Sequence, residues 1–221
     1  MGDLIVVEGL DGAGKRTLSA GLVGTWRAEG RKVATLAFPR YGRSIHADLG
    51  AEALRGQHGD TASSVEAMAL LWALDRREAA DELREMLSTN DIVLLDRYVA
   101  SNAAYTAARR HQDAAGPAVE WIRQLEFDRF GLPVPDLQLL LRVPVALAAE
   151  RARHRAATEA DRERDAYERD GDLQCRTGEV YDGLAQRHWM STWEVAGPDT
   201  DPQQLAVRIS NLLHDGEGVT R

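Results

Sequence analysis

The chain has 221 residues, of which 44% are hydrophobic and 28% are charged, and this ordinary balance predicts a globular protein that can bury a core without disulfides. Its net charge of −8 at pH 7 argues against a protein that coats nucleic acid or binds membranes through basic residues. The only cysteine, Cys175, has no partner for an internal disulfide, and no apolar run reaches the length of a membrane span, so we expect a cytoplasmic protein.

Short apolar runs alternate with segments of helical periodicity along the chain. The runs that we predict as buried strands are residues 4–7, 33–38, 92–95, 137–143 and 193–195. The segments that we predict as helical follow Lys15, start near residue 44, span 61–87 and span 202–213. This alternation is typical of a doubly wound α/β fold with a parallel sheet of about five strands, and we expect a single domain over residues 1–221. Ligands in such folds bind outside the carboxyl ends of the strands.

Residues 8–17, EGLDGAGKRT, follow the first predicted strand and precede the first predicted helix. The spacing of Gly9, Gly14 and Lys15 is that of a phosphate-binding loop. Glycines let backbone N–H groups turn towards phosphate oxygens, and the helix N-terminus and the lysine add positive charge. We therefore predict a nucleotide site formed by Gly9, Asp11, Gly12, Ala13, Gly14, Lys15, Arg16 and Thr17.

Arginine stands at position 16, where a hydroxyl residue usually follows the loop lysine and holds Mg²⁺. Two alternatives stay open for the metal, namely the hydroxyl of Thr17 and a site near Asp11. Arg16 itself can stabilise charge on a phosphoryl group in transfer, as arginine fingers do.

The residues DRY at positions 96–98 end the third predicted strand and place a carboxylate and a guanidinium at the sheet edge. Arg97 can bind a phosphate with its planar fork, and Asp96 can orient Mg²⁺ or a water molecule. On the helix predicted to follow, Ser101, Asn102 and Tyr105 lie near one face, and the donor and acceptor of an asparagine suit a base edge. Each of these groups, taken alone, is also typical of an ordinary helix start.

Four segments occur in the order found in one enzyme family. They are EGLDGAGKRT at 8–17, FPRYG at 38–42, LDRYVASNAAY at 95–105 and DAYERD at 165–170. Together they resemble the thymidylate kinases, and arginine after the loop lysine resembles the actinobacterial members. The resemblance implies transfer of the γ-phosphoryl group of ATP to dTMP, giving dTDP for dTTP synthesis, with Mg²⁺ and in a homodimer. Neither nucleic acid nor a membrane is expected as a partner.

The resemblance also implies roles for individual residues on the acceptor side. Arg97 binds the phosphate of dTMP, Trp72 stacks on thymine and Arg76 hydrogen-bonds a thymine carbonyl. The implied dTMP site consists of Asp11, Phe38, Tyr41, Trp72, Arg76, Arg97, Ser101, Asn102, Tyr105, Asp165, Tyr167 and Glu168. Asp11 and Glu168 are the implied Mg²⁺ ligands. Without the family, the apolar stripe that contains Trp72 is more typical of a helix core than of a base site.

The arginine-rich segment 150–169 is by itself typical of a solvated surface, but the family has a lid over ATP at this position. Arg151 and Arg155 are four residues apart and are expected to face the phosphates together. The catalytic residues that we predict are Lys15, Arg16, Asp11, Arg97 and Arg155.

Two other functions remain as alternatives. A deoxynucleoside kinase acting on thymidine shares the phosphate loop and a similar DR element, but its acceptor has no phosphate for Arg97. A nucleotide-binding switch without kinase turnover needs no second nucleotide pocket, and Arg76, Asn102 and Tyr105 argue against it.

Overall fold

The computed structural model describes residues 1–158 and 165–217, except for the side chains of 155–158 and 214–217. Its strands form one sheet in the order β2-β3-β1-β4-β5, and every neighbouring pair is parallel. The strands are β1 Asp3–Glu8, β2 Val33–Ala37, β3 Ile92–Asp96, β4 Leu137–Leu141 and β5 Thr192–Ala196. The predicted α/β fold with a parallel sheet of about five strands is therefore confirmed.

Helices connect the strands and flank the sheet. They are α1 Lys15–Ala28, α2 Ile45–Leu54, α3 Val65–Glu78, α4 Ala80–Thr89, α5 Val99–Arg109, α6 Pro117–Arg123, α7 Val145–Thr158, α8 Ala166–Arg169, α9 Gly171–Gln186 and α10 Pro202–Glu217. A short 3₁₀ turn spans Thr61–Ser63, and a π-helical segment spans Gln124–Arg129.

The structure corrects the predicted elements in two places. The segment 61–87 is not one helix, since α3 and α4 are separate and Ala79 lies between them. Neither glycine nor proline marks this break, so the apolar periodicity runs through it. Strands β2 and β4 end earlier than predicted, at Ala37 and Leu141, and the segment after each contains a proline, Pro39 or Pro144, which has no N–H to donate to a sheet.

Burial of the central strand explains why the sheet forms where it does. Ile5, Val6 and Val7 of β1 are fully buried between β3 and β4, and α1 covers the sheet with Leu22 and Trp26, which are four residues apart. Burial of each such large apolar side chain contributes roughly 1.5–3 kcal/mol.

The register of the sheet brings two predicted motifs together. Val7 pairs with Asp96, so the carboxyl ends of β1 and β3 lie side by side. The phosphate loop leaves β1 and Arg97 leaves β3 at this same edge, as the sequence predicted.

Among the helices of the described part of the chain, none combines the length and the apolar character that crossing a bilayer requires.

Candidate active site

The phosphate loop between β1 and α1 adopts a conformation that requires its glycines. Gly9, Gly12 and Gly14 have φ values of 140°, 81° and 102°, a region that side chains disfavour. A Cβ on Gly12 would lie 2.1 Å from the carbonyl oxygen of Ala148, and one on Gly9 would lie 2.7 Å from that of Leu141. The loop is therefore packed directly against the ends of β4 and α7.

Lys15 is buried at the start of α1 and folds back over the loop. Its Nζ donates hydrogen bonds to the carbonyl oxygens of Gly9 at 3.2 Å and Leu10 at 3.0 Å. Burial and the nearby positive charge of Arg97 lower the pKa of Lys15 to about 8. The ammonium group thus bonds two backbone oxygens of the loop, and phosphate oxygens of a bound nucleotide would take their place as acceptors.

Arg16 and Thr17 are both exposed at the N-terminus of α1. Within the described residues, neither side chain makes a hydrogen bond, and Arg16 makes no ion pair. The first turn of α1 contains no acidic residue. Since Arg16 has no partner within the described residues, its guanidinium can contact a ligand phosphate beside the loop, and its catalytic role stays a prediction.

Arg97 connects the end of β3 to the phosphate loop. Its Nη2 donates to Oδ1 of Asp11 at 2.6 Å, and its Nη1 donates to the hydroxyls of Ser101 at 3.0 Å and Tyr181 at 3.3 Å. Its backbone has a φ of 67°, which is uncommon for a non-glycine residue, and its N–H donates to Val7 O at 2.9 Å. The guanidinium is therefore held by the phosphate loop, α5 and α9, while the backbone of Arg97 is bonded to β1.

Asp11 is held from two sides. Tyr105 donates its hydroxyl to Oδ2 of Asp11 at 2.8 Å, opposite the bond from Arg97. Burial alone would raise the pKa of this carboxyl, but the charges of Arg97 and Lys15 outweigh burial and hold its pKa well below the usual range. Asp11 is consequently ionised, and the predicted residues Asp11, Arg97, Ser101 and Tyr105 form one connected cluster.

Oxygen donors suited to Mg²⁺ lie at this edge of the sheet. Mg²⁺ bound to phosphates needs only one or two carboxylates from the protein. Asp11 supplies an ionised carboxylate, and Oδ1 of Asp96 is buried with no hydrogen-bond partner among the described residues. In the same described part of the chain, no three His, Cys, Asp or Glu side chains are grouped to hold a metal by themselves. The donors present therefore fit an ion that is shared with nucleotide phosphates.

Glu8 is a buried acid that the sequence analysis did not select. It is fully buried at the end of β1, where Oε2 accepts from Ser101 Oγ at 2.6 Å and Tyr181 OH at 3.0 Å. Its Oε1 accepts from the backbone N–H groups of Tyr98 at 2.9 Å and Ser101 at 3.3 Å. Burial raises the pKa of Glu8. The sequence feature that could have identified this buried acceptor is a charged residue at the end of an otherwise apolar strand.

The FPRYG segment is anchored through its arginine. Arg40 is buried and donates to Asp75 on α3, from its backbone N–H at 2.9 Å and from Nε at 2.8 Å. The ring of Phe38 is also buried, with its centre 5.9 Å from that of Tyr98, whereas Tyr41 is 54% exposed. The two aromatic residues expected near the acceptor thus differ in environment, one packed in the core and one facing outward.

Trp72 packs between α2 and α3. A Cβ on Gly50 of α2 would lie 2.4 Å from Cη2 of the indole, so the ring lies flush against the backbone of α2. Trp72 also packs against the small cluster of Ala53, Leu54 and Met68. The core packing that the apolar stripe predicted is therefore present, and Trp72 remains partly accessible.

Arg76 and Asn102 are both buried and meet at Glu126, a second residue that the sequence analysis missed. Arg76 donates to Glu126 from Nε at 2.5 Å and from Nη2 at 2.8 Å. Asn102 Nδ2 donates to Glu126 Oε1 at 2.8 Å and to Ala69 O at 3.0 Å. Glu126 lies in the π-helical segment, and no pattern in the sequence predicted a π-helix there.

The predicted lid begins with α7 and reaches the loop through Arg151. Its Nη1 donates to the carbonyl oxygen of Ala13 at 3.2 Å, which joins the side chain to the phosphate loop, and its contact with the phosphates of ATP stays a prediction. The side chain of Arg155 lies outside the described part of the structure, so its predicted catalytic role stays a prediction.

The DAYERD segment contacts α5 and α9. Asp165 caps α8 by accepting from the backbone N–H of Glu168 at 2.9 Å. The ring of Tyr167 stacks on that of Tyr105 with centres 5.8 Å apart, and Arg109 donates to its hydroxyl. Glu168 is partly buried on the same short helix. The segment is thus joined to the Asp11–Arg97 cluster through Tyr105.

Comparison with known proteins identifies the family. The family model for thymidylate kinase matches residues 7–201. A thymidylate kinase of Mycobacterium tuberculosis (strain H37Rv) is 57% identical over 207 residues, which are 94% of this chain and 97% of that protein. The thymidylate kinase of Thermomicrobium roseum is 34% identical over 93% of this chain and 91% of its own length. The human thymidylate kinase is 34% identical over 68% of this chain and 65% of its own length.

The family model covers the phosphate loop, the DRY residues at 96–98 and the DAYERD segment, and the high identity to an actinobacterial member confirms the resemblance noted in the motifs. The chain belongs to the thymidylate kinase family.

Proposed function

We infer that this protein transfers the γ-phosphoryl group of ATP to dTMP, giving ADP and dTDP for dTTP synthesis. The observation that carries the inference is the bond between Arg97 and Asp11, which holds a phosphate-binding guanidinium beside the phosphate loop. A donor phosphate on the loop and an acceptor phosphate on Arg97 would then lie next to each other.

The donor side is assigned to the loop and to the start of the lid. Backbone N–H groups of residues 9–14 surround the phosphates of ATP, and Lys15 leaves its two carbonyl acceptors to bind them. Arg16, which has no protein partner among the described residues, stabilises the charge of the phosphoryl group in transfer. Arg151 and Arg155 are assigned to the same phosphates from the lid.

The acceptor side is assigned to α3, α5 and the DAYERD segment. Arg97 binds the phosphate of dTMP, while Trp72, Arg76 and Asn102 bind thymine. Phe38, Tyr41, Ser101 and Tyr105 line the site, together with Asp165, Tyr167 and Glu168 near the sugar and phosphate.

Mg²⁺ is assigned to Asp11 and Glu168, with Asp96 as a further oxygen donor. When bound, Mg²⁺ neutralises phosphate charge and aligns the two nucleotides. The residues of the chain contribute mainly by positioning the two nucleotides, because phosphoryl transfer needs little covalent chemistry from the protein.

The position of Arg97 favours dTMP over thymidine as the acceptor. Its guanidinium is held beside the phosphate loop by Asp11 and Ser101. A guanidinium of this kind binds a phosphate, which dTMP carries and thymidine lacks.

A homodimer, a single domain with a lid at 150–169 and a cytoplasmic location complete the proposal. Ile45 on α2 and Leu70 on α3 are 64% and 38% exposed, and large apolar residues on neighbouring helices support a protein contact there. Light scattering should show twice the monomer mass, and Leu70→Glu should reduce it to the monomer mass.

An assay of ADP release tests the activity. With ATP and Mg²⁺, release should depend on dTMP and should be slow with thymidine or with no acceptor. Release that depends on thymidine instead would favour the nucleoside kinase, and release independent of any acceptor would contradict transfer.

A further inference from the structure

Glu126 contacts both Arg76 and Asn102, the two residues that hydrogen-bond the base in the proposed function. Its side chain is fully buried, and both carboxylate oxygens are used, Oε2 by Arg76 and Oε1 by Arg76 and Asn102. Arg76 and Asn102 are only 3% and 4% exposed. An ion pair buried this deeply persists only when its geometry is well satisfied, as it is here.

This contact fixes which way the amide of Asn102 points. The amide faces the carboxylate of Glu126 and the carbonyl of Ala69, at 2.8 Å and 3.0 Å. Both of these groups only accept hydrogen bonds, so the NH₂ group must face them. The oxygen Oδ1 is therefore the end left for a ligand, since its only contact among the described residues is a long one of 3.4 Å from the hydroxyl of Thr106.

The same contact fixes which part of Arg76 is free. Glu126 occupies Nε and Nη2 in a side-on pair. The described residues provide no acceptor for Nη1, which lies at the other end of the guanidinium. Arg76 follows Trp72 by one helical turn on α3, so this free donor belongs to the same face as the indole.

We propose that Glu126 is a positioning residue that determines base choice, because it leaves the Nη1 group of Arg76 as a donor and Oδ1 of Asn102 as an acceptor for the base. This inference rests on the proposed function, since it names how the acceptor site selects its base. Thymine and uracil present an acceptor at O4 beside the N3–H donor, which complements this pair. Cytosine presents an N4 amino donor beside an N3 acceptor, so both contacts would oppose like groups.

The acceptor-only character of Glu126 is what the selection requires. A glutamine of the same size would turn an NH₂ group towards either Arg76 or Asn102, where a donor already points. With its NH₂ group in the place of Oε1, the glutamine would remove one of the two acceptors that orient Asn102; with NH₂ in the place of Oε2, it would remove the acceptor of Arg76 Nε. Discrimination between donor and acceptor on the base would fall, because a polar site rejects a wrong base by leaving buried groups unpaired.

The experiment compares kcat/KM for dTMP and dCMP in the wild type, in Glu126→Gln and in Glu126→Asp. In Glu126→Gln, the ratio of dTMP to dCMP should fall about tenfold or more, with a raised KM for dTMP. Glu126→Asp keeps an acceptor-only side chain and should keep the ratio close to the wild-type value while KM rises. If Glu126→Gln does not fold, loss of the ratio in Glu126→Asp would overturn the proposal and its retention would support it.

Asp75→Asn is the matched control. Asp75 is likewise fully buried, is paired with the buried Arg40 and directly precedes Arg76 on α3, but in the described structure its carboxylate makes no hydrogen bond to Arg76 or Asn102. Asp75→Asn should lower the free energy of unfolding as Glu126→Gln does, but it should leave the ratio of kcat/KM for dTMP to that for dCMP unchanged. The proposal for Glu126 would be overturned if the ratio of kcat/KM for dTMP to that for dCMP stayed unchanged in Glu126→Gln, or fell equally in Asp75→Asn. Either result would leave the proposed function intact. A wild type that phosphorylates neither dTMP nor dCMP would overturn the proposed function as well.

Discussion

Arg97 Nη2 lies 2.6 Å from Asp11 Oδ1, so the first residue after β3 is bonded directly to the phosphate loop that follows β1. The parallel register of the two strands brings the residues together, and Tyr105 holds the other oxygen of Asp11. The guanidinium and the carboxylate are thus positioned before a nucleotide binds. Such preorganisation is the main contribution that a protein makes to phosphoryl transfer.

Replacement of Asp11 by asparagine tests this relationship. The neutral amide removes the negative charge that pairs with Arg97 and, when its NH₂ group faces the guanidinium, the hydrogen bond as well, so Arg97 would be held less firmly. We expect kcat/KM for dTMP to fall about 100-fold, the effect of a small misplacement of a reacting group. Steady-state kinetics measure it. Asp81→Asn, at a side chain that is 94% exposed, is the control and should retain the wild-type value.

Arg16→Ala tests the assigned role of the arginine that replaces the usual hydroxyl residue. Because Arg16 is exposed and has no partner among the described residues, its loss should not change the melting temperature. We expect kcat to fall about 1,000-fold, as when an arginine finger is removed.

Arg187→Ala is the matched control, since Arg187 is exposed at the end of α9 far along the chain from the loop. It should leave kcat unchanged. A kcat of Arg16→Ala that equals that of the control would contradict the role of Arg16.

The lowered pKa of Lys15 predicts a pH dependence of ATP binding. In the free enzyme the ammonium loses its proton as the pH rises through about 8, because burial and Arg97 disfavour the charge. The value of kcat/KM for ATP reports the free enzyme, so it should decrease above this pH. Lys15→Arg keeps its charge at all these pH values, so its lower activity should show no such inflection. An inflection that persists in Lys15→Arg would assign it to another group.

Sequence reasoning recovered the parts of the site that local chemistry dictates. The loop glycines and Lys15 are recognisable by spacing, and the positive φ values of Gly9, Gly12 and Gly14 show why this spacing is needed. The placement of the phosphate loop and of Arg97 at one edge of the sheet followed from the rule that ligands bind at the carboxyl ends of the strands, whereas the bond between Arg97 and Asp11 was not predicted.

The residues that sequence reasoning missed act through tertiary contacts. Glu126 meets Arg76 from 50 positions away, and Tyr181 meets Glu8 from 173 positions away. Neither residue lies in a motif of the acceptor site. The break at Ala79 was missed for a related reason, since no glycine or proline marks it and only packing of α3 and α4 separates the helices.

Glu8 is expected to stabilise the fold beneath the site. Its carboxylate accepts hydrogen bonds from four donors that join β1 to α5 and α9. In Glu8→Gln the new NH₂ group faces donors, so we expect the free energy of unfolding to decrease by about 2–3 kcal/mol. Urea denaturation measures the change. Ser101→Phe is unsuitable for comparison because phenylalanine is much larger than serine. Tyr181→Phe removes only one of the four donors and should lower the free energy of unfolding by about 1 kcal/mol. Equal stability of Glu8→Gln and the wild type would contradict this role.

The central claim is transfer of a phosphoryl group to dTMP, and the most direct measurement follows the label of γ-³²P-ATP by chromatography after reaction with dTMP and Mg²⁺. The account predicts that the label appears in dTDP at the rate of ADP formation, and that thymidine in place of dTMP yields almost no labelled nucleotide. Label found only in inorganic phosphate, or in a monophosphate formed from thymidine, would contradict it.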